Sequence, residues 1–390
     1  MAQDHLFALT PGYELAGYRF GDVLGSGGYG ITYKGEDLAL GRPVAIKEYL
    51  PNTFARRSQD GVTVKPRDAK QQELFAWGIE RFRQEAETLV QLQHPNIVRV
   101  LRYFAANGTA YIVMVYEKGT SLGERLLDGA TLPPSELNKL IEPLLSGIET
   151  VHKARFLHRD IKPDNIYLRG DGSPVLLDFG SARQAIGART QSITSIVSPG
   201  YSPFEQYGKA AGDQGPWTDI YALGATLYRC IAGKRPPPAL DRVGGKRPME
   251  SAMELGAADY DPALLRAIDT ALEMRAEDRP QTIAALRAIM RGGDARGAPV
   301  AVEPGATLVA GPGPSVGAPI RAAPGATLVS GGSPDRPPAA RGEAIRPAPG
   351  PSVVSKLTQL RPAYLAIGAG VGFFLLMGLV ILLVVLLKGR

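Results

Sequence analysis

The run His158-Arg159-Asp160-Ile161-Lys162-Pro163-Asp164-Asn165 brings a carboxylate, an amine and a carboxamide together within six residues. Asp178, in Asp178-Phe179-Gly180, follows Asp160 by eighteen positions. Upstream, Gly25-Ser26-Gly27-Gly28-Tyr29-Gly30 forms a glycine-rich turn, and Lys47 in Val44-Ala45-Ile46-Lys47 comes seventeen residues after Gly30. Glycines let backbone N–H groups approach phosphate oxygens closely. A lysine ending an apolar strand either snorkels to water or meets an anion. Phosphoryl transfer requires an acceptor for a hydroxyl proton, ligands for a metal on the phosphates, and positive charge at the transition state. Asp160, Asn165, Asp178, Lys47 and Lys162 supply that set. The glycine turn alone is weak evidence, since such turns often serve only as tight hairpins, and it does not open a helix as a dinucleotide fingerprint would.

The elements that position these groups follow from hydrophobic period. Residues 18–34 read as two strands joined by the glycine turn, 44–50 as a third strand, and 110–117 as a buried strand. Ile79, Phe82, Ala86, Leu89 and Val90 recur at helical spacing over 79–92. From there helices dominate, at 135–152, 218–232, 262–273 and 280–291. A strand-rich front and a helical back predict two lobes. The carboxylate expected to meet Lys47 is Glu85 on the 79–92 helix, with Glu87 as the alternative.

In order and spacing, these residues resemble the eukaryotic-type protein kinase family over residues 18–290. The resemblance implies an α+β, two-lobed kinase fold with a small β-rich N-lobe and a larger helical C-lobe. It also implies ATP and Mg²⁺ as cofactors, and proteins as substrates. Carried over by motif, Asp160 would orient the attacking hydroxyl and accept its proton, while Asn165 and Asp178 would hold Mg²⁺. Lys162 resembles the γ-phosphate lysine of the serine/threonine branch, which implies Ser/Thr rather than Tyr specificity. Leu24, Gly25, Ser26, Gly27, Gly28, Gly30 and Thr32 would cover the nucleotide, Lys47 would pair with its phosphates and with Glu85, and Val115 and Glu117 would meet adenine through their backbone. Ser198-Pro199-Gly200-Tyr201 resembles the segment that receives the substrate residue. Asp219 in Thr218-Asp219-Ile220-Tyr221 resembles the residue that holds the catalytic loop, and Arg279 would pair with Glu205. Arg159 calls for an anion, which phosphate within Thr190–Ser195 would supply.

The sequence departs from the family pattern at several places. Thr32 stands where Val is usual over adenine, and Pro203-Phe204-Glu205 replaces Ala-Pro-Glu. Val115 stands where Glu is common, after a gatekeeper Met114. The stretch from Lys47 to Glu85 is longer than the family norm, so residues 49–78 contain an insertion. Thr32 and the insertion resemble bacterial kinases with the patterns GGxGITYLA and KEYLP. Two rival classes are a pseudokinase scaffold, disfavoured by the presence of Lys47, Asp160, Asn165 and Asp178, and a small-molecule kinase, disfavoured by Ser198 and Glu205.

Composition bounds the rest. The chain has 390 residues and a formal net charge of +6. The excess lies outside the globular part, with eight basic against four acidic residues over 291–362 and Lys388 and Arg390 at the end. A nucleic-acid-binding domain shows a basic face on its folded body, so no nucleic-acid partner is expected. The single cysteine, Cys230, sits in an apolar run and reads as core. Residues 1–17 form an N-terminal extension without a secretory pattern, and 18–291 form the catalytic domain. The Pro/Gly/Ala-rich segment 292–362 reads as a disordered, flexible linker. Tyr364–Leu387 runs 24 residues without a charge, which as a helix reaches roughly 36 Å and spans a bilayer core. One transmembrane helix is therefore expected at 363–387, followed by a tail at 388–390. The domain would face the cytoplasm from the inner (cytoplasmic) membrane in a single-pass arrangement. Gly368 and Gly372 would permit a homodimer through close helix approach. The hexamer at Pro304–Val309 recurs at Pro324–Val329, so phosphate on Thr307 or Thr327 would offer a dock for a phosphothreonine-binding, forkhead-associated partner.

Overall fold

The glycine turn joins two strands of a six-stranded antiparallel sheet whose order is β1-β2-β3-β4-β8-β7. In this computed structural model, residues 7–180, 197–208, 213–245 and 248–293 are described. The sheet comprises β1 (Glu14–Leu15), β2 (Tyr18–Gly27), β3 (Gly30–Asp37), β4 (Arg42–Tyr49), β7 (Val100–Ala106) and β8 (Thr109–Val115). Along β4, Val44, Ile46 and Glu48 point into the lobe while Ala45 and Lys47 face the other way, as the two-residue period of a strand requires. Phe20, Tyr33 and Tyr111 meet edge-on beneath the sheet, with ring centroids 5.3 and 5.7 Å from Phe20.

Helix α1 (Gln72–Gln91) packs across the sheet through Phe75, Phe82, Ala86 and Leu89. It begins earlier than the apolar period at 79–92 indicates, because Asp68 caps a preceding 3₁₀ turn by accepting from Gln71 N–H. Tyr49 lies between Phe75 and Phe82, each centroid 5.6 Å away. The insertion at 49–78 is ordered as the hairpin β5 (Ala55–Arg57) and β6 (Val64–Pro66), the 3₁₀ turn, and the first turns of α1. Arg57 enters the core beneath β4, donating to Glu48, to Phe7 O at 2.6 Å and to Val62 O at 2.7 Å. The Glu48 carboxylate also accepts from Tyr33 and Tyr111 hydroxyls, both at 2.8 Å. A wholly buried carboxylate persists because every oxygen has a donor.

The chain leaves β8 through residues 116–118 and enters the helical lobe. There α2 (Leu122–Arg125) is closed by a Ser121/Glu124 capping box. The main supports are α3 (Pro134–Lys153) and α4 (Pro216–Ala232), both with proline in the first turn, where its missing N–H costs nothing. Helix α4 ends at Gly233, whose φ of 66° suits glycine. Around them pack α5 (Ala239–Val243), α6 (Ala252–Gly256), α7 (Pro262–Ala271) and α8 (Ile283–Met290). Cys230 is fully buried among the apolar residues of α4, as its sequence context indicates. A small sheet, β11-β10-β9, lines the cleft side of this lobe, with β9 (Gly119–Ser121), β10 (Ile166–Arg169) and β11 (Pro174–Leu176).

Among the described residues no helix is long and apolar enough to cross a membrane. The expected linker beyond Gly293, the span at 363–387 with Gly368 and Gly372, the tail, Thr307, Thr327 and Thr190–Ser195 all lie outside the described residues.

Candidate active site

The two ends of β10 and β11 bring the chemistry-bearing loops together under the glycine turn. Asp160 is buried, and each carboxylate oxygen is engaged. Oδ1 accepts from Ser198 Oγ at 2.8 Å, while Oδ2 accepts from Asn165 Nδ2 at 2.9 Å and Lys162 Nζ at 3.2 Å. Lys162 also reaches Ser198 Oγ at 3.2 Å. Asn165 Nδ2 further donates to Asp160 O at 2.7 Å, which fixes its carboxamide and leaves its oxygen as an acceptor. Asp160, Lys162, Asn165 and Ser198 thus form one connected cluster.

The loop is held from below by Asp219 of α4. Its carboxylate accepts from Arg159 N at 2.7 Å, His158 N at 2.9 Å and His152 Nε2 at 2.9 Å. Burial works against its charge, but the His152 hydrogen bond and the neighbouring imidazoles hold the carboxyl below its usual range. Arg159 takes a left-handed φ of 66°, and this conformation is held by those bonds together with Gln206 Nε2 donating to Arg159 O at 2.9 Å. The Arg159 side chain donates to Gln214 Oε1 at 3.1 Å.

Across the cleft, Lys47 Nζ lies 2.9 Å from Asp178 Oδ1. Burial opposes both charges, yet each sustains the other. The lysine is raised by Asp178 and then by Glu85, and the Asp178 carboxyl is held low by Lys47. Asp178 is thus a hydrogen-bonded partner of Lys47 that the sequence reading did not pair with it, and Glu85 acts on the same lysine through its charge. The choice between the two α1 carboxylates is nonetheless clear. Glu85 is 3% exposed, whereas Glu87 pairs with Arg83 at the helix surface. Phe179 is buried against His158, with centroids 4.3 Å apart, which aims Asp178 into the cleft.

Above these groups, Gly30 pairs with Tyr49 across β3 and β4. A Cβ at Gly30 would sit 2.2 Å from Glu48 O, so only glycine permits this approach. At Gly25 and Gly27 a Cβ would meet nothing within 4 Å, so the space beside the turn is open. Leu24 is exposed at the cleft edge, Thr32 opposes Lys47, and Met114 is buried at the end of β8. Val115 N–H donates to Arg99 O at 3.0 Å. The Glu117 carboxylate is bound by Arg169 through two 2.8 Å bonds, so any contact it makes with a base falls to its backbone. Among the described residues no cluster of three His, Cys, Asp or Glu side chains is placed to hold a metal alone. Asn165 and Asp178 fit Mg²⁺ only with phosphate oxygens completing the shell, as is usual for that ion.

Sequence reasoning missed the contributions of Glu48, Arg57, Asn52 and Gln206. Glu48 was legible in principle, since a residue adjacent to Lys47 must face the opposite side of the strand.

An antiparallel lobe over a helical lobe, with these loops between them, is the two-lobed kinase fold. Residues 18–261 match the family model of the protein kinase domain, and the chain belongs to the protein kinase family. It is 31% identical over 286 residues to serine/threonine-protein kinase C of Synechocystis, covering 70% of this chain and 49% of that one. To serine/threonine-protein kinase PknA of Nostoc it is 35% identical over 230 residues, covering 56% and 37%. The solved structure of PpkA-294 in its apo form aligns with a TM-score of 0.67 and 38% identity, covering 73% of this chain and 99% of that chain. The chain thus spans about half or less of the length of these curated relatives.

The loop geometry carries a pH dependence. His158 is fully buried, with Nε2 2.8 Å from Leu177 O and Nδ1 accepting from Asp160 N–H at 3.3 Å. That arrangement requires the neutral ring, and burial pushes its pKa below the usual value although nearby carboxylates pull the other way. The unfolded chain therefore binds the extra proton first, so stability is full above about pH 6.5 and falls as pH drops below it. Denaturant midpoints of the domain are expected to decline from pH 7 to pH 5, and a constant midpoint over that range would contradict the neutral assignment.

Proposed function

We propose that this chain is a serine/threonine protein kinase that transfers the γ-phosphate of ATP to protein hydroxyls and to itself. The observation that carries this reading is the Asp160 carboxylate held by Lys162, Asn165 and Ser198. Asp160 orients the incoming hydroxyl and takes its proton as the oxygen bonds to the γ-phosphorus. The bond to the bridging oxygen breaks, and ADP departs with the electron pair. Lys162 lies where it offsets charge on the transferred group, and Lys47 anchors the remaining phosphates. Asn165 and Asp178, together with phosphate oxygens, would hold Mg²⁺, which would supply positive charge opposite the leaving group. Ser198 touching Asp160 supports a protein substrate, because the segment that receives a peptide then abuts the proton acceptor.

Autophosphorylation within Thr190–Ser195 would give Arg159 an anion, and a helix at 363–387 would tether the domain to the cytoplasmic membrane. Thr307 and Thr327 as phosphothreonine docks, and Gly368 with Gly372 as a dimer face, belong to the same reading. The test is to express the full chain and a form lacking 363–387, separate membranes from soluble material, and supply Mg-ATP with a basic protein. Phosphoserine and phosphothreonine are expected in both forms, with only the full chain in the membrane fraction. Absence of transfer would overturn the activity, and a soluble full chain would overturn the tether.

A further inference from the structure

The insertion after β4 reaches the glycine turn directly. Leu50 N–H donates to Tyr29 O and Asn52 N–H donates to Gly28 O, both at 3.0 Å. The strand that carries Lys47 thus continues as a strap along the descending limb of the turn. The strap is itself held. Arg67, just beyond β6, donates to Asn52 O from Nε at 3.0 Å and from Nη2 at 2.7 Å. Arg67 N–H is anchored on Phe54 O at 2.9 Å, and Ala55 pairs with Pro66 in the hairpin. Phe54, Ala55 and Val64 root that hairpin in the core, and Arg57 ties it to Glu48.

We infer that Arg67 is a positioning residue for the nucleotide phosphates, acting through the Asn52 carbonyl on the glycine turn. The physical link is peptide geometry. The peptide bonds here are trans, and in a trans peptide the C=O and the following N–H point in opposite directions. With Gly28 O committed to Asn52, Tyr29 N–H is aimed away from the strap. A turn with that carbonyl tethered has its backbone dipole set before a ligand arrives, which lowers the ordering cost of binding phosphate. Without the Arg67 anchor the strap loosens, and the turn must be ordered by the nucleotide itself.

This inference rests on the reading of the cleft as an ATP site, and the experiment separates the two. Calorimetric titrations of the full chain use Mg²⁺ with a non-hydrolysable ATP analogue, and adenosine alone. For Arg67→Ala the analogue is expected to bind about 3- to 10-fold more weakly, the scale of a lost charge-assisted hydrogen bond at a solvated position. Adenosine, which has no phosphates, should bind as it does to the wild type, and the unfolding temperature should hold. Arg67→Lys, which retains one donor, should regain part of the loss and serves as the test if the alanine variant does not fold. Unchanged analogue affinity would overturn the role, as would equal weakening of analogue and adenosine, which would make Arg67 a support of the lobe. A wild type that binds adenosine but gains nothing from the phosphates would overturn the ATP reading instead.

Discussion

Asp160→Asn is expected to reduce phosphate transfer by about 10²- to 10⁴-fold, the range for removal of a positioned acid–base group. The folded structure should survive it. Lys162 Nζ and Asn165 Nδ2 both donate toward Oδ2, so the new amide must turn its oxygen to them and its NH₂ toward Ser198. Ser198 Oγ, which donates to Asp160 Oδ1 at 2.8 Å, can accept instead, because a hydroxyl serves either role. The hydrogen bonds are kept while the proton acceptor is lost. The measurement is radiolabelled phosphate incorporation into a basic protein alongside a thermal melt. Wild-type transfer by the variant would remove Asp160 from the mechanism.

The second large effect concerns stability. Arg279 and Glu205 form an ion pair with contacts of 2.7 and 3.3 Å and side-chain exposures of 0% and 4%. Arg279 also donates to Glu273 O and Met274 O, and its guanidinium lies 4.8 Å from the Tyr221 ring centroid. Arg279→Ala would leave the Glu205 carboxylate buried with, among the described residues, the Thr218 hydroxyl as its remaining hydrogen-bond donor. Breaking one side of such a pair costs about 3–5 kcal/mol. In a domain of this size that lowers the unfolding temperature by roughly 6–20 °C. Adding Glu205→Gln should recover part of the loss, since the orphaned charge is then removed. A shift of only a degree or two would show that water reaches Glu205 and that the pair is not a structural lock.

The site was legible in the sequence because its groups sit in short loops at strand ends, where local order is also spatial order. Asp160, Lys162 and Asn165 share one loop, and their contacts with one another follow from spacing. The Asp219 bonds and the Glu205–Arg279 pair were legible by resemblance, although the partners of the latter lie 74 residues apart. The Lys47–Asp178 bond was harder. Its partners lie 131 residues apart, and no local pattern encodes how their two segments meet across the cleft. The hairpin β5–β6 was illegible for another reason. Its strands are three residues each, ARR and VKP, too short for a period and too charged to read as strand. Its arginine, turned inward onto Glu48, and the buried Ala55 and Val64 explain why it folds there.

The adjacent, opposite charges of Lys47 and Glu48 also govern how the N-lobe assembles. In β4 they project to opposite faces, one to the cleft and one to a buried cage made by Arg57, Tyr33 and Tyr111. A one-residue slip of a strand exchanges its faces. Here a slip would drive an ammonium against the Arg57 guanidinium in the core and turn a carboxylate toward Asp178 in the cleft. Hydrophobic strands tolerate mispairing because one aliphatic side chain resembles the next, but this strand carries a charge label on each face. The correct register is thus marked electrostatically before any nucleotide binds, and a chain that pairs wrongly during folding meets like-charge repulsion at the one strand whose alignment the chemistry cannot spare.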